Sequence, residues 1–201
     1  MATYVNLAVE DSLSEAVLRR IIEQSRQQYA IGFCYCGGGY IYLKQKIPGF
    51  NNAAKGTPFI VLADLEAECP PSQIRSWLPV DRQPNLMFRI AVREIESWLL
   101  ADRTGFAAFL GISKSLLPRN ADEINDPKQR LIGLAKRSRK RARREAIVPS
   151  PNSTAKIGRG YNGELASFVR DAWNIEEAMK NSDSLRRTVN AIGKFQPIEV
   201  E

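Results

Sequence analysis

The chain has 201 residues, an apolar fraction of 44% and a net charge of +7, which suits one α/β domain, or one domain with a small appendage, built on a real core. It contains no histidine, which excludes Ser-His-Asp and Cys-His catalysis and any histidine-based metal site. An uninterrupted apolar run of about 18 residues is missing, so no transmembrane helix is expected and no membrane partner. The N-terminus from Met1 to Asn6 lacks the charged and apolar regions of a signal peptide. Three cysteines make no disulfide framework, and Cys34, Cys36 and Cys69 lack zinc-ligand spacing, so a cytoplasmic location is expected.

Thr3 to Val9 reads as a buried first strand that ends at Glu10. Ser12 and Glu15 form an S-x-x-E capping box, and Leu13, Val17, Leu18, Ile21 and Ile22 give the following helix its apolar face, to about Tyr29. Glu10 thus stands between a strand end and a helix start. It is either an acid near a positive helix end or a metal ligand or general base. Ile31 to Cys36 is a second strand, followed by Gly37-Gly-Gly39, a flexible turn or a backbone approach to phosphate. Tyr40 to Ala54 reads as a short helix and loop.

The central stretch is Phe59-Ile-Val-Leu-Ala-Asp-Leu-Glu66. Its continuous apolar run suits a strand buried on both faces of a parallel sheet. Asp64 and Glu66 fall at its carboxyl end, where open α/β sheets bind ligands. Two carboxylates beside an apolar strand repel each other unless neutralised, so the pair reads as half of a divalent-metal site or as a solvated loop entry. A short helix around Ile74 to Leu78 follows, then a strand from Leu86 to Val92. That strand runs into Arg93-Glu-Ile-Glu-Ser-Trp-Leu-Leu-Ala-Asp102. Glu94 and Glu96, two positions apart on a helix, point about 200° away from each other, so at most one is expected to face a shared crevice. Trp98 reads as core. Three strand ends therefore deliver acids to one rim: Glu10, Asp64 with Glu66, and Glu94 or Glu96.

Beyond an apolar cluster at Phe106, Phe109, Leu110 and Ile112, a loop-like stretch runs from Ser113 to Asp126. Between Lys128 and Arg144 lie nine Lys or Arg and no acid, which leaves 20 basic against 22 acidic residues elsewhere. This segment reads as one basic helix over 127–145. Leu131, Leu134, Ala135, Ser138 and Ala142 form its small apolar face, and Lys136, Arg137, Arg139, Lys140, Arg141, Arg143 and Arg144 cover the rest. Such density calls for an anionic partner, with nucleic acid as the first reading. The alternative is a helix that pairs with an acidic rim of its own protein or a partner. Residues 146–160 read as a linker, and Tyr161 to Trp173 and Ser182 to Ile192 as closing helices.

The order of these motifs resembles a bacterial family of small Toprim-like proteins, the domain of unknown function numbered 4276. The matching stretches are Val9-Glu10-Asp11, Val61 to Glu66 with Glu68-Cys69, and Phe88 to Asp102. Asp126-Pro-Lys128 with the basic segment, Tyr161-Asn162 and Ser182 to Leu185 also match. The resemblance implies a Toprim-like (Rossmann-type) parallel four-stranded sheet with helices on both faces, followed by a helical C-terminal part. Residues 1–112 form the α/β core in this reading, and 113–201 a helical extension packed as one unit. By position, Glu10 matches the Toprim glutamate, and Asp64 with Glu66 matches its D-x-D. Glu66 stands where Toprim proteins usually carry Asp.

The expectation drawn from both lines is a Mg²⁺- or Mn²⁺-dependent nuclease or related phosphoryl-transfer enzyme on DNA or RNA, of the kind found in defence systems. Glu10, Asp64 and Glu66 hold the metal in this reading. Glu94 or Glu96 completes a second site or orients water, and Arg93 neutralises a phosphate oxygen. The alternative is a non-catalytic nucleic-acid-binding or adaptor protein on a degraded Toprim scaffold, working beside an ATPase partner. A third reading is a nucleotide-binding enzyme that uses the Gly37–Gly39 turn.

Overall fold

The computed structural model describes residues 3–66 and 68–198. Met1 and Ala2 of the N-terminal stretch, and the last three residues of the expected 113–201 extension, lie outside the described residues. Contacts divide the chain into two compact units: residues 1–92 with 187–201, and residues 93–186. The sequence reading drew its line at 112.

The first unit carries strands β1 (Thr3–Val9), β2 (Tyr29–Cys36), β3 (Phe59–Asp64) and β4 (Leu86–Ala91), with helices α1 (Ser12–Glu23), α2 (Gly39–Ala53) and α3 (Pro70–Trp77) between them. Among the described residues the strands form one all-parallel sheet in the order β2-β1-β3-β4. The expected parallel α/β sheet is therefore present. Its central strands owe their place to composition: the first five residues of β3 are all buried, as only a strand covered on both faces can be.

Alternation along the strands sorts the core. Ala8, Phe59, Val61, Ala63, Leu86, Phe88 and Ile90 cluster with Leu43, Ile47 and Phe50 of α2 and Trp77 of α3. The intervening Val5, Leu7, Val9, Ile60 and Leu62 are also buried, and α1, packed on β1, β2 and β3, covers that opposite face with Leu13, Val17, Leu18, Ile21 and Ile22. The first helix is capped by Asp11, whose carboxylate accepts from Ser14 N at 2.8 Å. This corrects the capping box read at Ser12. The helix also stops at Glu23, because Tyr29 already belongs to β2. Between Val5 and Leu7 the β1–β2 register shifts, and Asn6 Oδ1 fills the bulge by accepting from Phe33 N at 2.9 Å.

The end of the chain returns to this unit. The Asn85 side-chain amide holds Ile198, donating to its carbonyl at 2.9 Å and accepting from its N–H at 2.7 Å. The Tyr29 hydroxyl lies 2.7 Å from the carbonyls of both Ile192 and Phe195.

The second unit is helical: α4 (Ile95–Ala101), α5 (Arg103–Leu110), α6 (Pro127–Ala135), α7 (Arg141–Ile147), α8 (Tyr161–Asp171), α9 (Ile175–Met179) and the start of α10 (Asp183–Ile192). A 3₁₀ turn at Lys114–Leu116 interrupts the stretch read as loop. The Arg93–Asp102 block organises this unit. Trp98 is fully buried, as expected of core, and donates from Nε1 to Ser184 Oγ at 2.7 Å. Asp102 caps α5 through Gly105 N and also accepts from Asn174 N just before α9, both at 2.9 Å. Asp122 binds the start of α10 through Ser182 Oγ at 2.5 Å and Ser184 N at 2.8 Å. No helix among the described residues is long and apolar enough to cross a membrane.

The basic segment is not one helix. It breaks after α6 and resumes at α7. No proline or glycine lies between Leu134 and Arg141, so the break has a side-chain cause. Ser138 Oγ donates to Leu110 O at 2.5 Å and accepts from Lys140 N at 3.1 Å, which draws the backbone out of its helical ladder. Ala142, read as part of the apolar face, is exposed.

Candidate functional site

In the order β2-β1-β3-β4 the chain leaves β1 toward one side of the sheet and later returns to its other side. The carboxyl ends of β1 and β3 therefore flank a topological switch point, where open α/β sheets place ligands. Register pairs Val9 with Leu62, which sets Glu10 level with Ala63 and next to Asp64. The Glu10 carboxylate accepts from the Asp64 backbone N–H at 2.8 Å. Residues 54 positions apart are thus brought together at adjoining strand ends.

The turn out of β3 has its own fastening. Gln73 of α3 is 0% exposed. Its Oε1 accepts from Glu66 N at 2.6 Å and its Nε2 donates to Asp64 O at 2.7 Å. One side-chain amide therefore satisfies a donor and an acceptor on either side of Leu65 and fixes where the two acidic residues leave the strand. The sequence reading missed Gln73, because a glutamine on an amphipathic helix carries no pattern of its own. Asp64 is partly buried and Glu66 exposed.

The Gly37–Gly39 turn meets the same rim, with Gly39 N donating to Glu10 O at 3.3 Å. All three glycines have positive φ, at 103°, 89° and 66°, where a side chain is strained. The cysteines offer no nucleophile on β2. Burial, aided by Glu15, pushes the Cys34 thiol up to about 12 and Cys36 to about 11, far above the range of a reactive thiolate.

Glu94 and Glu96 belong to the helical unit, where both turn toward Lys128. Glu94 Oε2 accepts from Lys128 N at 2.9 Å. Lys128 Nζ lies 3.8 Å from Glu94 and 3.6 Å from Glu96. The helical separation of about 200° read between them does not hold, for a geometric reason. Glu94 is the extended N-cap residue of α4, with φ −132° and ψ 161°, so the 200° helical separation does not apply. Glu96 is 2% exposed and accepts from Tyr161 OH at 2.9 Å, while its second oxygen is buried without a hydrogen bond among the described residues. Arg93 is exposed, and its backbone N–H donates to Ser97 Oγ at 3.2 Å.

Burial holds the Glu96 carboxyl above the ordinary glutamate range, with Lys128 opposing and Glu94 reinforcing the shift. From the ordinary range up to that raised value, the folded chain keeps a proton that the unfolded chain has lost. Stability therefore falls as pH rises through this window, by at most about 1.4 kcal/mol per pH unit for one proton. Glu96→Gln is expected to remove that slope while keeping an acceptor for Tyr161. Urea unfolding of both proteins from about pH 4 to about pH 8 checks it, and parallel stability profiles would contradict the assignment.

The seven basic residues singled out divide into two sets. Lys140 Nζ donates to Ala108 O at 2.7 Å, Arg143 donates to Phe109 O, and Ser138 takes Leu110 O. These are the last carbonyls of α5, so the cations complete a helix C-terminus and favour its dipole. The Arg143 guanidinium also lies 3.9 Å from the Phe109 ring centre. Arg144 donates to Ser138 O at 2.8 Å, and Arg141 pairs with Glu145 at 2.7 Å. Lys136, Arg137 and Arg139 remain exposed and make no ion pair among the described residues.

Among the described residues, no three His, Cys, Asp or Glu side chains are grouped so as to hold a metal ion. The trio Glu10, Asp64 and Glu66 is therefore not an assembled cage; what the fold brings together is Glu10 and Asp64. No protein-family model, curated protein or solved structure matches the chain.

Proposed function

We propose that this protein is a Mg²⁺-dependent phosphoryl-transfer enzyme acting on nucleic acid, a nuclease in its simplest form, with its reaction centre at the Glu10–Asp64 rim. The observation that carries the reading is the 2.8 Å hydrogen bond between the Glu10 carboxylate and Asp64 N at the switch point of a parallel sheet. The donors there are hard carboxylate oxygens, which suit Mg²⁺ or Mn²⁺. Mg²⁺ commonly takes one or two protein carboxylates and completes its octahedron with water and phosphate oxygens. A two-carboxylate rim therefore fits such an ion without a third protein ligand. When bound, the ion would lower the pKa of water and stabilise charge on phosphate. Glu10 and Asp64 would hold it, Gln73 would keep the strand exit in place, and Glu66, with its extra methylene, would reach through a water.

Lys136, Arg137 and Arg139 would grip the phosphate backbone, giving salt-dependent and largely sequence-independent affinity. Like Arg93, Glu94 and Glu96, they belong to the helical unit, and Glu94 and Glu96 already share Lys128.

The second reading is a non-catalytic nucleic-acid-binding or adaptor protein, partnered with an ATPase. The absence of a three-acid grouping among the described residues favours it. One experiment separates the two. Calorimetric titration of Mn²⁺ into wild type, Glu10→Gln and Asp64→Asn is expected to give binding that both substitutions abolish, with cleavage of DNA or RNA lost in parallel. Equal behaviour of all three proteins would remove the enzymatic reading. The adaptor reading then expects nucleic-acid affinity that survives Asp64→Asn without metal. In either case, alanine at Lys136, Arg137 and Arg139 together should flatten the slope of log affinity against log salt by about 2–3.

A further inference from the structure

The sheet is left open on one face at its β2 edge. On the other face α1 packs against β2, and Cys34 and Cys36 lie beside its Glu15. On the open side α2 packs on β1 and β3 and meets β2 through Phe50, whose ring centre lies 5.1 Å from that of Tyr35. Tyr35 pairs with Ala8, so alternation puts Phe33 and Tyr4 on the same face as Tyr35. These three aromatics are 38% (Tyr35), 75% (Phe33) and 70% (Tyr4) exposed. They form a shelf along two neighbouring strands. Lys44 leans over Trp77 of α3 at 6.0 Å. Tyr42 and Lys46 stand about 200° round the helix from Lys44, on the flank that borders the shelf. The Lys46 ammonium lies 5.8 Å from the Tyr42 ring centre.

The charge here is of one sign. From Gln24 to Ala63 the chain holds no Asp or Glu, but it holds Arg26, Lys44, Lys46 and Lys55. All four are exposed and none makes an ion pair among the described residues. The acid that approaches β2, Glu15, does so from the α1 face and is paired with Arg19. A second copy of the chain fits this surface poorly. A two-fold contact would set the acid-free surface against itself, and like charges repel. The three rings offer on the order of 400 Å², against about 800 Å² per partner in a standard interface. An anion that also carries flat rings fits better. Aromatics exposed on adjacent strands can stack two or three unpaired bases, and a neighbouring cation tracks the backbone.

We infer that the Tyr4–Phe33–Tyr35 shelf stacks the bases of a single-stranded nucleic acid whose phosphates run past Lys46. As a statement of substrate class this rests on the proposed phosphoryl-transfer reading; as a binding site it stands without the Glu10–Asp64 rim. Bases paired in a duplex offer no free faces to the shelf, so the selected form is the single strand.

The test follows fluorescence anisotropy of a labelled single strand, the same strand with abasic sites, and its duplex. A chelator removes divalent metal, so that base-dependent binding tests the shelf while the Mn²⁺ titration tests the rim, and either can fail alone. Phe33→Ala is expected to weaken binding of the intact strand about tenfold, as for one lost stacking contact, and to leave the abasic strand and the duplex unaffected. Phe33→Trp should restore the affinity, since it keeps a stacking face. Lys46→Ala should flatten the slope of log affinity against log salt by about 0.7 for the intact strand. Unchanged melting temperatures control for folding; should Phe33→Ala fail to fold, Tyr4→Ala on the neighbouring strand carries the same expectation. Equal affinity of wild type for intact and abasic strands overturns the shelf, as does binding indifferent to both Phe33→Ala and Tyr4→Ala. A wild-type dimer that Phe33→Ala converts to monomer in sedimentation, with strand binding unchanged, overturns it too and assigns the surface to a second copy.

Discussion

Trp98→Ala is expected to destabilise the helical unit by about 3–5 kcal/mol, the range for truncating a large buried aromatic. Trp98 is 0% exposed and acts in three ways. Its ring fills the interior, its Nε1 donates to Ser184 Oγ at the start of α10, and its carbonyl lies 3.3 Å from Trp173 Nε1. Alanine keeps the backbone contact and loses the other two. The cost depends on how far the surrounding helices can collapse, and helices already fixed by Asp102 and Asp122 have little room to do so. Trp98→Phe keeps most of the volume and loses mainly the hydrogen bond. Ser184 Oγ retains Asp122 at 3.2 Å, so that variant should cost only about 1–2 kcal/mol. Urea unfolding followed by far-ultraviolet circular dichroism gives both values. Equal losses for Ala and Phe would mean that the hydrogen bond, and not the packing, dominates.

Gln73→Leu is expected to cost about 2–4 kcal/mol, and to do so at the candidate site. The substitution is close to volume-conserving and removes both hydrogen bonds of the buried amide. Glu66 N and Asp64 O then lose their partners, at about 1–3 kcal/mol for each group left without one; partial hydration through exposed Glu66 limits the sum. Gln73→Glu makes a sharper test. It can still accept from Glu66 N but, when ionised, cannot donate to Asp64 O, and it adds a third negative charge beside two carboxylates. Gln73→Leu should speed hydrogen exchange at the Glu66 amide, whereas Gln73→Glu, which still accepts from that amide, should leave its exchange slow. If the Glu10–Asp64 rim binds divalent metal, Gln73→Leu should also weaken Mn²⁺ affinity while the protein remains folded. Unaltered exchange at Glu66 in Gln73→Leu would mean that the strand exit is held by other contacts.

Much of the first unit was legible because its signals are local. The run Phe59 to Ala63 names a doubly covered strand by itself, and the helical spacing from Leu13 to Ile22 marks α1. The same local signals misled where two residues compete for one role. Ser12 and Glu15 satisfy the capping pattern, yet Asp11, one residue earlier, captures Ser14 N. The 39–53 segment contains Pro48 and Gly49 and reads as interrupted, yet it forms one helix in which Leu43, Ile47 and Phe50 are buried against the sheet. Burial of that face outweighs the local penalty.

The sequence by itself determined the strand and helix periodicities, the recurrence of acids just past strand ends, and the concentration of positive charge between Lys128 and Arg144. Each of these depends on neighbours within a few positions. Only the tertiary structure decided what those groups meet. It set Glu10 against Asp64, turned Glu94 and Glu96 together onto Lys128, gave Glu96 a hydroxyl from Tyr161, 65 residues away, and bent the basic segment so that Lys140 and Arg143 close the end of α5. The physical reason is that a charged or polar side chain announces only that it needs a partner. Which partner satisfies it depends on strand order and helix packing, which bring distant parts of the chain within 3 Å of one another.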